Sequence, residues 1–314
     1  MKQIKKDELQ KIKSWIYRNA RPLDFFRWQF HFENGNKNNV LSVLSSFQNT
    51  DGGFGHALEA DSWNPFSSPL QTSTAILLLE ELNYFNEADT IIMGILSFLE
   101  NDSSFIKNGW IQKIPTNNDF PHAPWWTYNK EKIGGFHSEW EYNPTAIIIG
   151  FILRVIKNKE SAFYKKCLNI ANEAIGKLLS VDTIESHELR CFCSFYSSLM
   201  ETGIEVNYQL NDIEQKLKKL INQSIEYDTS KWNNYVTKPS SYINSPESIF
   251  YSEYKSIMDF ELDYIIDSRN KDGIWDINWT WDAYEKEFTI SENWWQGHII
   301  IQNSVLLKNF SRIV

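Results

Sequence analysis

A short segment that ends an apolar helix and turns on glycine recurs along this chain, and its period constrains the fold. In the copy from Ser46 to Gly55, Gly52 and Gly53 predict a tight turn, because glycine adopts backbone angles that other residues resist. A second copy begins at Ser97, 51 residues downstream, and a third spans Arg269 to Trp275. Self-similarity at this period is typical of stacked helical hairpins.

The predicted helices alternate in character. Helices that precede a turn are amphipathic, such as 209–226, whereas helices that follow a turn, such as 71–82, are apolar nearly all round and predict a buried position. An alternation of outer and inner helices predicts an all-α fold, an α/α toroid of about ten to twelve helices around a central cavity. Without a linker to divide it, the chain is predicted to form one domain over 1–314. The other predicted helices lie near 6–20, 38–47, 86–99, 160–179, 186–201, 246–268 and 294–310, with one more that starts at 143.

Composition narrows the classes of function. The net charge of −9 disfavours a nucleic-acid partner, because that binding depends on Lys and Arg at the phosphates. The three cysteines show no disulfide framework, and the first segment lacks the apolar stretch of a signal peptide. Together these features predict a cytoplasmic protein. The chain is not expected to span a membrane, since the longest apolar run, which begins at Ile147, stops at Arg154.

Eleven of the thirteen Trp residues lie in loops that lead from an outer to an inner helix, or at the start of an inner helix. In a toroid all of these loops emerge at the same end of the molecule, which predicts an aromatic-lined mouth to the central cavity at that end. Glu59 and Asp61 in the first loop, and Glu139 and Glu141 in the second, are candidate catalytic residues, because carboxylates beside indole rings supply a general acid and base. Candidate substrate-binding residues are the neighbouring rings His56, Trp63, Trp125, Trp126, His137, Trp140, Trp275, Trp279, Trp294 and His298.

These residues also have structural interpretations. The carboxylates are suited to helix caps or to loop amides, His298 to a core position, and the Trp rings to plugging the toroid. His187 and Cys191 share a helix face, with Cys193 nearby, but we interpret the cysteines as small buried thiols. We therefore predict no metal and no cofactor.

Several of these segments resemble the repeats of the terpenoid cyclase and protein prenyltransferase superfamily. That repeat has an aliphatic residue, three spacers, Gln, a few spacers, then Gly, any residue and Trp. Leu44, Gln48 and 52–54 fit it, with Phe54 in the place of Trp, and 273–275 fits its end, with Arg269 in the place of Gln. The segments 72–75 and 144–146 resemble the starts of its inner helices. The resemblance implies an α/α toroid.

The resemblance also implies an enzyme that acts on an isoprenoid-type or other apolar small molecule. Protonating cyclases of the superfamily have Asp-x-Asp-Asp before Thr-Ala, whereas here only Glu141 precedes Thr145-Ala146 as an acid, and no aspartate-rich metal motif is present. Two alternatives stay open. One is a carbohydrate-active enzyme or sugar-binding protein, to which Trp platforms beside paired carboxylates are suited. The other is a non-catalytic interaction scaffold.

Overall fold

The structure, a computed structural model, describes residues 1–106, 109–129 and 142–314. These ranges contain eleven α-helices and one short antiparallel hairpin, which confirms the predicted all-α class and helix number. The hairpin lies in the second long loop and pairs β1 Phe105–Ile106 with β2 Gly109–Trp110. The helices are α1 Lys6–Asn19, α2 Pro22–Phe32, α3 Lys37–Leu44, α4 Pro69–Glu81, α5 Thr90–Asn101, α6 Thr145–Val155, α7 Ala162–Ser180, α8 Ser186–Thr202, α9 Leu210–Ser224, α10 Tyr251–Asp267 and α11 Glu285–Asn309.

The chain divides into two compact units. Unit 1 comprises Met1–Leu44 and Ile225–Val314, and therefore contains α1 to α3, α10 and α11. Unit 2 comprises Ser45–Ser224 and contains α4 to α9 and the hairpin. The closed toroid and the single domain stay predictions.

Unit 2 is built around α6. Every residue of α6 is buried except Arg154, and the helix packs against α4, α7 and α8. Helix α9 packs against α7 and α8. It is amphipathic and buries only Ile213, Leu217, Leu220 and Ile221, which are spaced along one helical face. Within this unit, helices buried all round and helices with a charged outer face occur as the sequence predicts.

Unit 1 packs α2 against α1, α3 and α11. The sequence did not assign α2, whose aromatic residues lack a helical period, but Pro22 at its first position suits a helix start. The predicted start of α11 was wrong: the helix begins at Glu285 rather than at Trp294, because its first turns are polar and carry no apolar period. The loop before it therefore ends at Tyr284.

The recurring turn has the same hydrogen bonds in both units. In unit 2 the Asn49 N–H donates to the Gly53 carbonyl at 2.8 Å, and in unit 1 the Asn270 N–H donates to the Ile274 carbonyl at 2.7 Å. Gly52 and Gly273 have φ angles of +91° and +81°, a left-handed conformation that favours glycine. The predicted match between these copies is therefore confirmed at the level of the backbone.

The residue before each turn ties it to another helix of its unit. The side-chain amide of Gln48 donates to the carbonyl of Ile91 in α5 at 2.9 Å. At the corresponding position, Arg269 donates to the carboxylate of Glu8 in α1 at 2.7 Å. Gln and Arg at this position therefore have the same structural role, because both have long side chains whose N–H groups reach an acceptor on a neighbouring helix.

Two further sequence predictions can be compared with the described ranges. There, no helix combines the length and the apolar character that crossing a membrane requires. All three cysteines are free and buried, as predicted.

Candidate functional site

The first loop of unit 2, defined as residues 49–68, is held by the start of α4. Gln71 in the first turn of α4 is fully buried. Its side-chain oxygen accepts from the Leu58 N–H at 3.0 Å, and its amide donates to the Asn64 carbonyl at 2.8 Å. The loop therefore has a fixed shape although it contains no regular secondary structure.

The same loop contains two consecutive left-handed residues that are not glycine. His56 and Ala57 have φ angles of 59° and 60°, a conformation that costs about 1–2 kcal/mol per residue for a side chain with a Cβ. The His56 ring is held by a 2.9 Å hydrogen bond between its Nε2 and the side-chain oxygen of Asn49. Strained backbone of this kind concentrates at functional sites, which makes the segment a candidate site.

The first loop contacts the second loop, of which the contacting part lies within residues 109–129. The Trp63 N–H donates to the Pro121 carbonyl at 2.9 Å, and the Ala123 N–H donates to the Asp61 carbonyl at 2.8 Å. The side chain of Asn64 donates to that of Asn117 at 2.9 Å. Backbone pairing of this kind fixes the positions of the residues between Glu59 and Asn64.

Both predicted carboxylates of the first loop are buried. The exposed fraction is 9% for Glu59 and 3% for Asp61, and Ser62 beside them is also buried. Buried carboxylates are rare unless they are paired or functional, because an ionised carboxylate loses its hydration in the interior. The other two candidate acids, Glu139 and Glu141, lie outside the described residues, as do His137 and Trp140.

Two buried hydrogen-bond donors of the second loop lack an acceptor within the described ranges of the chain. They are the indole Nε1 of Trp126 and the side-chain Nε2 of Gln112. His122 in the same loop is 7% exposed, and its Nδ1 lies 2.7 Å from the Phe120 carbonyl. Because a carbonyl oxygen only accepts, this geometry assigns the ring proton of His122 to Nδ1.

The other predicted rings of this unit differ in exposure. Trp63 and Trp126 are half-buried, and Trp125 is 37% exposed. Trp63 thus lies on the first loop with Glu59 and Asp61, whereas Trp126 lies on the second loop, whose Ala123 pairs with Asp61.

Unit 1 contains a buried charged cluster that joins α2 to α11. Asp24 and Arg27 are fully buried and their side chains lie 2.8 Å apart, while Arg21 donates to the other oxygen of Asp24 at 2.9 Å. Burial alone would raise the pKa of Asp24, but the guanidinium groups of Arg21 and Arg27 outweigh it and hold this pKa below its ordinary value. Gly297 places α11 directly beside this cluster, since an added Cβ there would be in ordinary van der Waals contact with Asp24 Oδ2 at 3.4 Å.

His298 extends this cluster. Its Nδ1 lies 3.1 Å from a guanidinium nitrogen of Arg27. A guanidinium only donates, so Nδ1 accepts and the ring proton is assigned to Nε2. Asp24 therefore orients Arg27, and Arg27 fixes the tautomer of His298.

An aromatic cluster lies on one side of His298. Trp295 packs edge-to-face against His298 and against Trp279, with ring centroids 5.4 and 5.3 Å apart, and Tyr235 packs against Trp279 at 6.0 Å. The Cζ atom of the Arg21 guanidinium lies 5.8 Å from the centroid of the Trp294 ring. The structure thus brings three predicted residues, Trp279, Trp294 and His298, to one region of unit 1.

Trp275 has a different environment from the other predicted rings. It is 4% exposed, and its indole N–H donates to the Ile265 carbonyl at 2.8 Å. Trp110 in unit 2 donates in the same way to the Leu99 carbonyl at 3.1 Å. Through these hydrogen bonds, both indoles attach a loop to the end of the preceding helix, and both rings occupy core positions.

The cysteine–histidine group considered for metal binding is not arranged around a common centre. The Nδ1 of His187 lies 2.7 Å from Glu185, and burial raises the thiol pKa of both Cys191 and Cys193, which disfavours the thiolates that bind metals. Across the described part of the chain, no group of three or more His, Cys, Asp or Glu residues could hold a metal ion.

Sequence reasoning missed several residues that shape these regions. Asp24 and Arg27 have no distinguishing local pattern, and Asn64, Gln71 and His122 act through partners that are distant in sequence. Comparisons of the chain with models of protein families, with curated proteins and with solved structures give no match.

Proposed function

We propose that this protein is an enzyme that performs acid–base chemistry on an apolar, isoprenoid-type small molecule, with Asp61 and Glu59 as the proton-transferring groups. The observation that supports this most is the burial of both carboxylates on a strained loop that hydrogen bonds from α4 and the second loop hold in place. Acid–base catalysis needs carboxylates that are fixed near the substrate and shielded from water.

The aromatic rings on the same two loops suit an apolar substrate. Trp63 follows Asp61 in sequence by two residues, and Trp126 lies on the second loop. Indole faces stabilise a developing positive charge, which protonation of an alkene or epoxide would generate. The isoprenoid class itself comes from the resemblance of the repeats.

The test is an assay of the purified full-length chain with squalene, oxidosqualene, farnesol and farnesyl diphosphate, with products separated by gas chromatography and identified by mass spectrometry. We expect turnover of at least one probe. Asp61→Asn and Glu59→Gln should each lower kcat by about a hundredfold or more while the melting temperature stays unchanged. Glu100→Gln, a change at an exposed carboxylate of α5, is the matched control and should keep full activity.

Full activity in both loop variants would refute the assignment of the two acids. Absence of any product from all four probes would refute the proposed substrate class.

A further inference from the structure

We infer that unit 1 carries a carbohydrate-binding site on the surface formed by Asp276, Trp279, Trp295, Gln296 and Tyr235, named here the indole platform. This site lies outside the two loops to which the proposed chemistry is assigned, and it does not depend on Asp61 or Glu59.

The segment that supplies Asp276 and Trp279 is anchored at both ends. Trp275 and Trp281 are buried, with exposed fractions of 4% and 0%. Between them, Asp276 is exposed and Trp279 is half-buried. The segment therefore presents a carboxylate and an indole from a backbone that two buried Trp residues hold in place.

Helix α11 fixes the same segment at two points. The side-chain amide of Gln296 donates to Asp276 Oδ1 at 3.2 Å, and the neighbouring Trp295 packs edge-to-face on Trp279 with centroids 5.3 Å apart. The amide of Asn270 donates to the same carboxylate oxygen at 2.8 Å. Preorganisation of this kind lowers the entropic cost of binding a ligand.

The carboxylate of Asp276 gives the indole platform an acceptor for a ligand hydroxyl. The indole Nε1 of Trp279 is buried and has no acceptor among residues 1–106, 109–129 and 142–314. The second carboxylate oxygen of Asp276 receives no hydrogen bond from any side chain or backbone group in those ranges. This indole N–H is shielded from solvent and therefore from a ligand on the surface, whereas the exposed carboxylate of Asp276 can accept from a sugar hydroxyl.

Aromatic rings and charge restrict the ligand further. Tyr235 is 64% exposed and stands at the edge of Trp279, so the indole platform combines half-buried rings with an exposed one. Such rings stack on the apolar face of a sugar ring. The carboxylate of Asp276 and the net charge of −9 disfavour phosphorylated and other anionic ligands, which leaves a neutral saccharide as the best match.

The test is isothermal titration calorimetry of the full-length chain with four soluble probes: cellohexaose, xylohexaose, maltohexaose and chitohexaose. We expect saturable binding of at least one of them. Trp279→Ala and Asp276→Asn should each weaken that binding by at least about tenfold. Trp279→Phe keeps an aromatic ring but with a smaller face for stacking, and it should give a smaller but measurable loss.

The matched control is Phe260→Ala, which removes another exposed aromatic side chain of unit 1, on α10, and should bind like the wild type. Asp61→Asn should also bind like the wild type, which separates this site from the proposed chemistry. Lack of saturable binding for all four probes would overturn the inference. So would a retained affinity in both Asp276→Asn and Trp279→Phe, substitutions that keep the packing of the indole platform.

Discussion

Glu261 gives the sharpest test of the energetics of this fold. It lies on α10 with an exposed fraction of 1%. The backbone N–H of Ser240 donates to its Oε2 at 2.7 Å, and the Ser240 hydroxyl donates to its Oε1 at 2.6 Å. Burial raises the pKa of Glu261 to about 7, and the two Ser240 hydrogen bonds and the charge of Lys238 offset only part of this effect.

The size of the effect follows from linkage between protonation and folding. The native pKa of about 7 lies above the ordinary value of 4.5, so the native state holds this proton more tightly than the unfolded chain. The free energy of unfolding therefore falls as pH rises from 4.5 through 7. This difference between the native and the ordinary pKa corresponds to about 3 kcal/mol in the free energy of unfolding.

Glu261→Gln removes the titration and keeps the shape. The carbonyl oxygen of the new side chain can accept from the Ser240 N–H, and its amide can donate to the Ser240 hydroxyl oxygen. We would measure urea unfolding by circular dichroism for variant and wild type at about pH 5 and about pH 8. The stability of the variant relative to the wild type should increase by about 3 kcal/mol between the two conditions.

Comparing the variant with the wild type cancels the contribution that other titratable groups make to the pH dependence of stability. One of these is Glu80 on α4, whose pKa burial also raises to about 7. Glu253→Gln, at an exposed position of α10, is the control for the loss of one negative charge on this helix. If the relative stability of Glu261→Gln changes by less than about 0.5 kcal/mol between the two conditions, the burial argument is wrong.

Two further predictions concern the turn and the thiols. Gly52→Ala should destabilise the protein by about 3 kcal/mol in urea unfolding, because a Cβ there would lie 2.1 Å from the Gly94 carbonyl oxygen at a φ of +91°. Gly203→Ala, at a φ of +62° with nothing within 4 Å, should cost only about 1 kcal/mol, and equal losses in the two variants would contradict the steric explanation. Burial raises the thiol pKa of Cys167 to about 12 and also raises those of Cys191 and Cys193. We therefore expect an aromatic disulfide reagent to label none of the three in the native protein and all three in urea, and rapid labelling of one native thiol would show that it is accessible.

The sequence determined the local structure well where a short pattern encodes it. The glycine turns at Gly52 and Gly273, the buried character of α6 and the amphipathic face of α9 all follow from residues a few positions apart. Backbone angles and helical periodicity are local properties, so nearest neighbours in sequence specify them. The polar start of α11 was missed for the same reason, because no apolar period marks it.

Tertiary structure decided which side chains meet. The sequence indicated Asp61 and His298 by residue type, but only folding pairs the carbonyl of Asp61 with the N–H of Ala123, and His298 with Arg27, which lies 271 positions away. The same holds for Gln48, which reaches the carbonyl of Ile91 on the next helix. Contacts of this kind depend on how helices pack, and packing minimises the free energy of the whole chain rather than of any segment. Local composition therefore fixed the helices and turns, whereas the buried carboxylates, the tautomer of His298 and the indole platform arose only from the folded chain.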